Sequence, residues 1–186
     1  MKVISVVGHK KSGKTTLVAA LVQKLSELGT VGTVKHMGEL RLNPAETDTG
    51  KHFDAGADTV IGITGTELVS FSRDHDLENA LDMLCNQGLD FAVVEGFKDS
   101  NLSKIALGDI DDISNVVIKI PENPNLCEEL VASLIGIALS QPDHYTLEAL
   151  IKKARKTSAI RKYEPEASKV LDKIREETKK KEEYSK

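Results

Sequence analysis

Val3-Ile4-Ser5-Val6-Val7 is a short, β-branched and nearly continuous apolar run, the pattern of a strand covered on both faces. After a Gly/Lys-rich stretch the period changes. From Thr15 to Leu28, apolar side chains recur at Leu17, Val18, Leu21, Val22, Leu25 and Leu28, the spacing of a helix with one buried stripe, and Gly29 stands where a C-cap would. Val31 to Val34 is the next strand. The resulting β-loop-α-β unit favours a parallel sheet with a right-handed crossover.

Residues 37–57 are polar, contain Gly and Pro, and show little periodicity; they predict a loop with one helical turn near His52–Ala55. Thr59–Thr64 and Leu68–Phe71 predict two short strands joined through Gly65-Thr66, a hairpin within an otherwise parallel arrangement. A helix over Leu77–Cys85, a buried strand Phe91-Ala92-Val93-Val94 ending at Glu95-Gly96, strands Lys104–Leu107 and Val116–Ile120, and an amphipathic helix Cys127–Leu139 follow. Alternation of this kind predicts an α/β, three-layer fold with a mainly parallel sheet and an antiparallel hairpin or edge. Composition shifts near Pro142: from 151 to 186 most residues are charged, with weak helical spacing at Leu147, Leu150, Ile151 and Ala154 and again at Val170, Leu171 and Ile174. The expectation is a domain over 1–140 and a charged helical extension over 141–186.

The 186 residues suffice for one domain and a short appendage. Aromatics are 4% and Trp is absent, so the core must be aliphatic. A net charge of −4 argues against a general nucleic-acid binder, leaving anion binding to a local device. Cys85 and Cys127 lack CxxC spacing and suggest neither a disulfide framework nor a zinc site. No apolar run approaches the ~20 residues of a spanning helix, and the first strand leaves no room for a cleavable leader. A cytoplasmic protein without a membrane partner is expected.

The local device is Gly8-His9-Lys10-Lys11-Ser12-Gly13-Lys14-Thr15, which matches G-x-x-x-x-G-K-[ST] throughout, between a buried strand and a helix. Gly8 and Gly13 let successive amides, those of Lys10, Lys11 and Ser12 among them, curl around phosphate oxygens. Lys14 sets a positive charge against the β- and γ-phosphates, and the Thr15 hydroxyl is a ligand for Mg²⁺. The helix that follows aims its N-terminal amides at the same anion. A plain Gly-rich turn with surface lysines is the alternative. This arrangement predicts the P-loop nucleoside-triphosphatase fold.

A second acidic group is expected after a hydrophobic strand, and Phe91-Ala92-Val93-Val94-Glu95-Gly96 supplies it. Glu95 is placed to hold Mg²⁺ through water and the Gly96 N–H to approach the γ-phosphate. Asp48, in the loop after the second strand, is a candidate for ordering the metal shell, against its plain reading as a loop residue. Lys35-His36 and His52 pose the same question. No N-K-x-D guanine-reading sequence occurs, so motifs alone do not separate ATP from GTP.

Together these stretches resemble the molybdopterin-guanine dinucleotide biosynthesis adapter family. The resemblance rests on Gly8 to Thr16 with its doubled Thr, on Val34-Lys35-His36, on Asp48-Thr49 with His52 and Ala55-Gly56-Ala57, and on Val94-Glu95-Gly96-Phe97-Lys98 with Lys104-Ile105; it covers residues 1–140. It implies a GTP-binding, Mg²⁺-dependent, weakly hydrolysing homodimer. Such a protein assists a guanylyltransferase that attaches GMP to molybdopterin, and molybdopterin itself is a possible ligand. Lys14, Thr15 and Thr16 carry over as phosphate and Mg²⁺ contacts, with Asp48 and Glu95 in the metal shell.

Two departures stand out. Met37-Gly38-Glu39 replaces the His-rich stretch of many relatives, and His9 fills the slot of the signature lysine of related dimeric ATPases. In the tail, Thr146–Leu150 and Tyr163–Ala167 faintly resemble pieces of the molybdopterin synthase large subunit, a remnant of a fused domain from which no synthase activity is expected. Without a water-orienting Gln or an arginine finger, hydrolysis is expected to be slow at most. Two alternatives stay open: a small-molecule kinase, which would need an Arg-rich lid, and a GTPase metallochaperone, which would need a Cys/His cluster.

Overall fold

A computed structural model describes residues 1–39 and 41–144. The apolar runs read above become strands β1 (Lys2–Gly8), β2 (Val31–Lys35), β3 (Thr59–Ile63), β4 (Leu68–Ser72), β5 (Phe91–Glu95), β6 (Lys104–Leu107) and β7 (Val116–Ile120). The helices are α1 (Lys14–Leu25), α2 (Asp48–Asp54), α3 (Leu77–Asn86) and α4 (Glu128–Ser140). The chain divides into a compact unit over Met1–Asp143 and a second beginning at His144. The expected charged extension, and the tail stretches with the faint second resemblance, fall almost wholly outside the described residues.

Five strands form one parallel sheet in the order β2-β5-β1-β6-β7. Alternation of side chains assigns its two faces. Ile4 and Val6 of β1 and Phe91 and Val93 of β5 join Leu17 and Leu21 of α1 and Leu134 and Ala138 of α4 in one core, aliphatic apart from Phe91. On the opposite face α3 lies against β2: Leu84 and Leu89 crowd the space where a side chain at Gly32 would stand, and Gly32 is paired with Ala92. Helices on both faces of a parallel sheet are the expected three-layer α/β arrangement. β1 and β5, the central strands, are almost wholly buried.

Three details differ from the sequence reading. The hairpin β3–β4 is a sheet of its own, in register from Thr59↔Ser72 to Ile63↔Leu68, and is not paired to the parallel sheet. α1 stops at Leu25 and Leu28 is 58% exposed. Gly29 is therefore not a left-handed cap; it is small because a Cβ there would stand 2.6 Å from Asp90 Oδ2. Finally, α2 begins at Asp48 rather than near His52, because the Thr47 side chain accepts from the Gly50 N–H and caps it. No helix among the described residues is long and apolar enough to cross a membrane.

Candidate functional site

The carboxyl ends of β1, β5 and β2 lie side by side, where open α/β sheets bind their ligands. At the end of β1 the loop from Gly8 turns into α1. Lys11 and Gly13 both take left-handed backbone, with φ of 67° and 90°, which turns neighbouring amides towards one side. Gly13 is the N-cap of α1 and no side chain caps that end, so the first-turn amides, those of Lys14, Thr15 and Thr16, have no partner within the helix. Ser12 is buried and its Oγ has no hydrogen-bond partner. Its carbonyl accepts from the Asn123 N–H at 2.9 Å, which ties the loop to the turn after β7. Lys14 Nζ donates to the carbonyls of Gly8 (3.0 Å) and His9 (2.6 Å).

Sheet register brings the remaining groups in. Lys35 and Glu95 are direct partners across β2 and β5, and Glu95 is partnered with Val6 across β5 and β1. Glu95 thus shares the face of Phe91 and Val93, the face that α1 covers, and its carboxylate meets the first turn of that helix. Thr15 Oγ1 donates to Glu95, with both oxygens at 3.1 Å. Lys35 Nζ donates to Glu95 Oε1 (2.9 Å) and Oε2 (3.0 Å) and to Thr15 Oγ1 (3.2 Å). Glu95 is 9% exposed, and a carboxylate at that depth requires such a counter-charge.

A cavity of about 700 Å³ opens over these groups, lined by Lys10 to Thr16, Lys35, His36, Met37, Glu95 and Asn123. A second, of about 660 Å³, adjoins it on the α3 side and shares Lys14, His36 and Glu95. Its wall includes Gly96 to Ser100, a segment with two consecutive left-handed residues, Gly96 (φ 98°) and Phe97 (φ 55°). Gly96 cannot carry a side chain, since a Cβ would come within 2.9 Å of His36 Cβ. The His36 and Phe97 rings lie against each other, centroids 4.9 Å apart.

The donors suit the expected groups. An orphaned buried hydroxyl, an uncapped helix start and three lysines fit a polyphosphate. A hydroxyl beside a carboxylate is a hard-oxygen pair of the kind Mg²⁺ accepts alongside phosphate oxygens.

The structure therefore gathers Lys10, Lys11, Ser12, Gly13, Lys14, Thr15, Thr16 and Glu95 around one cavity, with Gly8 on the wall of the adjoining one. It does not bring in two of the expected contacts. The Gly96 N–H donates to the Val6 carbonyl at 2.9 Å and continues the sheet ladder, so it does not face a phosphate. Asp48, the first residue of α2, has a side chain 92% exposed, pairs with Lys51 at 3.3 Å and lines neither cavity. His75 Nδ1 lies 2.7 Å from the Arg73 carbonyl. Among the described residues no three His, Cys, Asp or Glu side chains come together as a metal cluster.

The sequence reading missed Asn123, which seals the loop from the far side; its only signal was the turn composition of Pro121-Glu122-Asn123-Pro124 directly after a strand. It used Lys104 only as the start of a strand and in the family resemblance, and gave it no role. This lysine is wholly buried at the start of β6, and its ammonium donates to the carbonyls of Ser100, Leu102 and Ser114, pinning the segment that follows Gly96. Burial pushes its pKa below the ordinary lysine value, and the Asp99 carboxylate partly opposes that.

Comparison with known proteins bears on the fold and the family. The profile of the family Molybdopterin guanine dinucleotide synthesis protein B (MobB) matches residues 3–121. A relative from Methanocaldococcus jannaschii, provisionally named a molybdopterin-guanine dinucleotide biosynthesis adapter protein, is 34% identical over 122 residues, 63% of this chain and 51% of the relative. One from Bacillus subtilis with a similar provisional name is 31% identical over 110 residues, 56% of this chain and 64% of the relative. The match thus spans about half the length of the first and under two thirds of the second.

Among solved structures, the MobB homologue of Bacillus stearothermophilus superposes with a TM-score of 0.56 at 24% identity, covering 76% of this chain and all of the other. Bacillus subtilis MobB superposes with 0.54 at 25% identity, covering 78% and all of the other. With the family profile running from β1 to the end of β7, the chain belongs to the molybdopterin-guanine dinucleotide synthesis protein B family.

Proposed function

We propose that the chain is a Mg²⁺-dependent, GTP-binding adapter in the cytoplasm. On this reading it works in the synthesis of the guanine dinucleotide form of the molybdenum cofactor, alongside the guanylyltransferase that joins GMP to molybdopterin. The observation that carries the nucleotide part is the convergence of the Lys10–Ser12 loop, the uncapped start of α1, Lys14 and the Thr15–Glu95 pair on one cavity. The guanine preference and the partner come from the family.

Lys14 would leave the carbonyls of Gly8 and His9 for the β- and γ-phosphates, while Thr15 would bind Mg²⁺ directly and Glu95 order its water. Mg²⁺ would supply charge neutralisation at the phosphates. Among the described residues no arginine lines the cavity, which favours slow hydrolysis by the chain alone. Ile61, Ile63 and Leu68, exposed on one face of the β3–β4 hairpin, favour a homodimer; sedimentation velocity at micromolar concentration separates dimer from monomer.

The test is reconstitution. Added to a guanylyltransferase with molybdopterin, GTP and Mg²⁺, the chain is expected to raise the yield of the guanine dinucleotide. The Thr15→Val variant should lose that gain. Equal yields with and without the chain would remove the adapter reading. The adjoining 660 Å³ cavity, which shares Lys14 and Glu95 with the first, favours a second reading, a kinase whose acceptor sits there. A phosphorylated small molecule formed from labelled nucleotide would replace the adapter reading by that one.

A further inference from the structure

We propose that Lys35 is a resident counter-cation of the metal site, an ammonium that holds the Thr15–Glu95 pair and must leave before Mg²⁺ can be bound there. The inference rests on reading the loop as a Mg·nucleotide site and adds a residue that controls how metal enters it.

The geometry is specific. Both Glu95 oxygens accept from Lys35 Nζ, at 2.9 and 3.0 Å, and Thr15 Oγ1 accepts from it at 3.2 Å while donating to Glu95. The oxygens suited to a hard divalent cation are thus engaged by a monovalent one. Register makes this more than a chance surface contact: Lys35 and Glu95 are paired residues on adjacent strands, on the face covered by α1. The two partners differ in burial. The Glu95 side chain is 11% exposed and meets little water, whereas that of Lys35 is 47% exposed, on a flexible stem that can swing its charge into the open cavity. Lys14, on the first turn of α1, donates instead to the carbonyls of Gly8 and His9.

The consequence is an exchange. A metal ion arriving alone must displace an ammonium from a buried carboxylate, with only water to receive the displaced charge. Metal arriving with a polyphosphate frees Lys35 beside several negative oxygens, which receive it. Metal and nucleotide therefore bind with positive coupling, and Lys35 keeps the site from filling with metal alone.

The experiment titrates Mn²⁺ in the absence of nucleotide, read by loss of the free-ion electron paramagnetic resonance signal. Lys35→Met, which keeps the stem and removes the charge, is expected to bind Mn²⁺ about tenfold more tightly than the parent chain. Lys35→Arg, which keeps the charge, should stay near the parent, and Thr15→Val added to Lys35→Met should erase the gain. Circular dichroism checks that each variant is folded, and Lys35→Gln replaces Lys35→Met if the latter is not. Equal Mn²⁺ affinity in the parent and the neutral variant, or a gain that survives Thr15→Val, overturns the exchange. In a separate arm the parent is titrated with a fluorescent guanine nucleotide and Mg²⁺. Failure to bind there removes the nucleotide reading itself, whereas binding there with no change in Mn²⁺ affinity removes only the role of Lys35.

Discussion

Replacing Lys14 with alanine is expected to lower affinity for Mg·GTP by about a hundredfold, since a charged hydrogen bond to phosphate contributes roughly 1.5–3 kcal/mol and each 1.4 kcal/mol is tenfold. The fold should survive. Lys14 lies on the first turn of α1, and its ammonium touches only the carbonyls of Gly8 and His9, next to an open cavity. Losing those contacts costs about 1 kcal/mol, a shift of a few degrees in Tm. Calorimetric titration and thermal melting of the same samples separate the two effects. Affinity unchanged in Lys14→Ala would mean that the lysine does not grip the phosphates; a collapse in Tm would mean that its bonds to the loop hold the domain together.

The second large effect concerns stability. Lys104→Met keeps the length of the side chain but leaves the carbonyls of Ser100, Leu102 and Ser114 without their donor. A buried acceptor left unsatisfied, as at Leu102, costs about 1–3 kcal/mol, and the part-buried carbonyls of Ser100 and Ser114 cost less; relief of a buried charge offsets some of this. The expected net loss is about 2 kcal/mol, a fall in Tm of roughly 4–8 °C. The pH dependence has a definite sign. The folded-state pKa of Lys104 is lowered by burial, so below that pKa the folded chain bears the full cost of holding a desolvated charge. As pH rises through the folded value towards the ordinary lysine value of 10.5, the folded state releases its proton before the unfolded state does, and the parent gains stability relative to Lys104→Met. The deficit of the variant should widen between neutral pH and pH 10, measured by urea melts at each pH. A constant deficit would mean that the buried ammonium is not penalised; no deficit would mean that the three carbonyls do not depend on it.

Much of this was legible in the chain. The phosphate loop announces itself because all its parts are contiguous from Gly8 to Thr16, and the buried strands do so because Val3–Val7 and Phe91–Val94 are covered on both faces and need no alternation. Glu95 was legible as the acidic end of such a strand.

What was not legible depends on strand order. Lys35 meets Glu95 only because β5 enters the sheet between β2 and β1, a fact carried by contacts some sixty residues apart. The pairing of β5 with β1 consumes the Gly96 amide, which local reading offered to a phosphate. α2 was read too short because Gly50 in its first turn weakens the helical signal, while the cap that starts the helix comes from Thr47. Lys104 looked like an ordinary strand opener, since three backbone carbonyls closing around an ammonium leave no trace in residue types. Asp48 was placed by its motif, but the helix it begins turns its carboxylate outward to Lys51.

The most direct test of the central claim is calorimetric titration of the full chain with GTP and with ATP, each with and without Mg²⁺. Saturable binding near one site per chain, dependent on Mg²⁺ and tighter for GTP, is the predicted result. No binding of either nucleotide at millimolar concentration, by a chain shown to be folded, would contradict it.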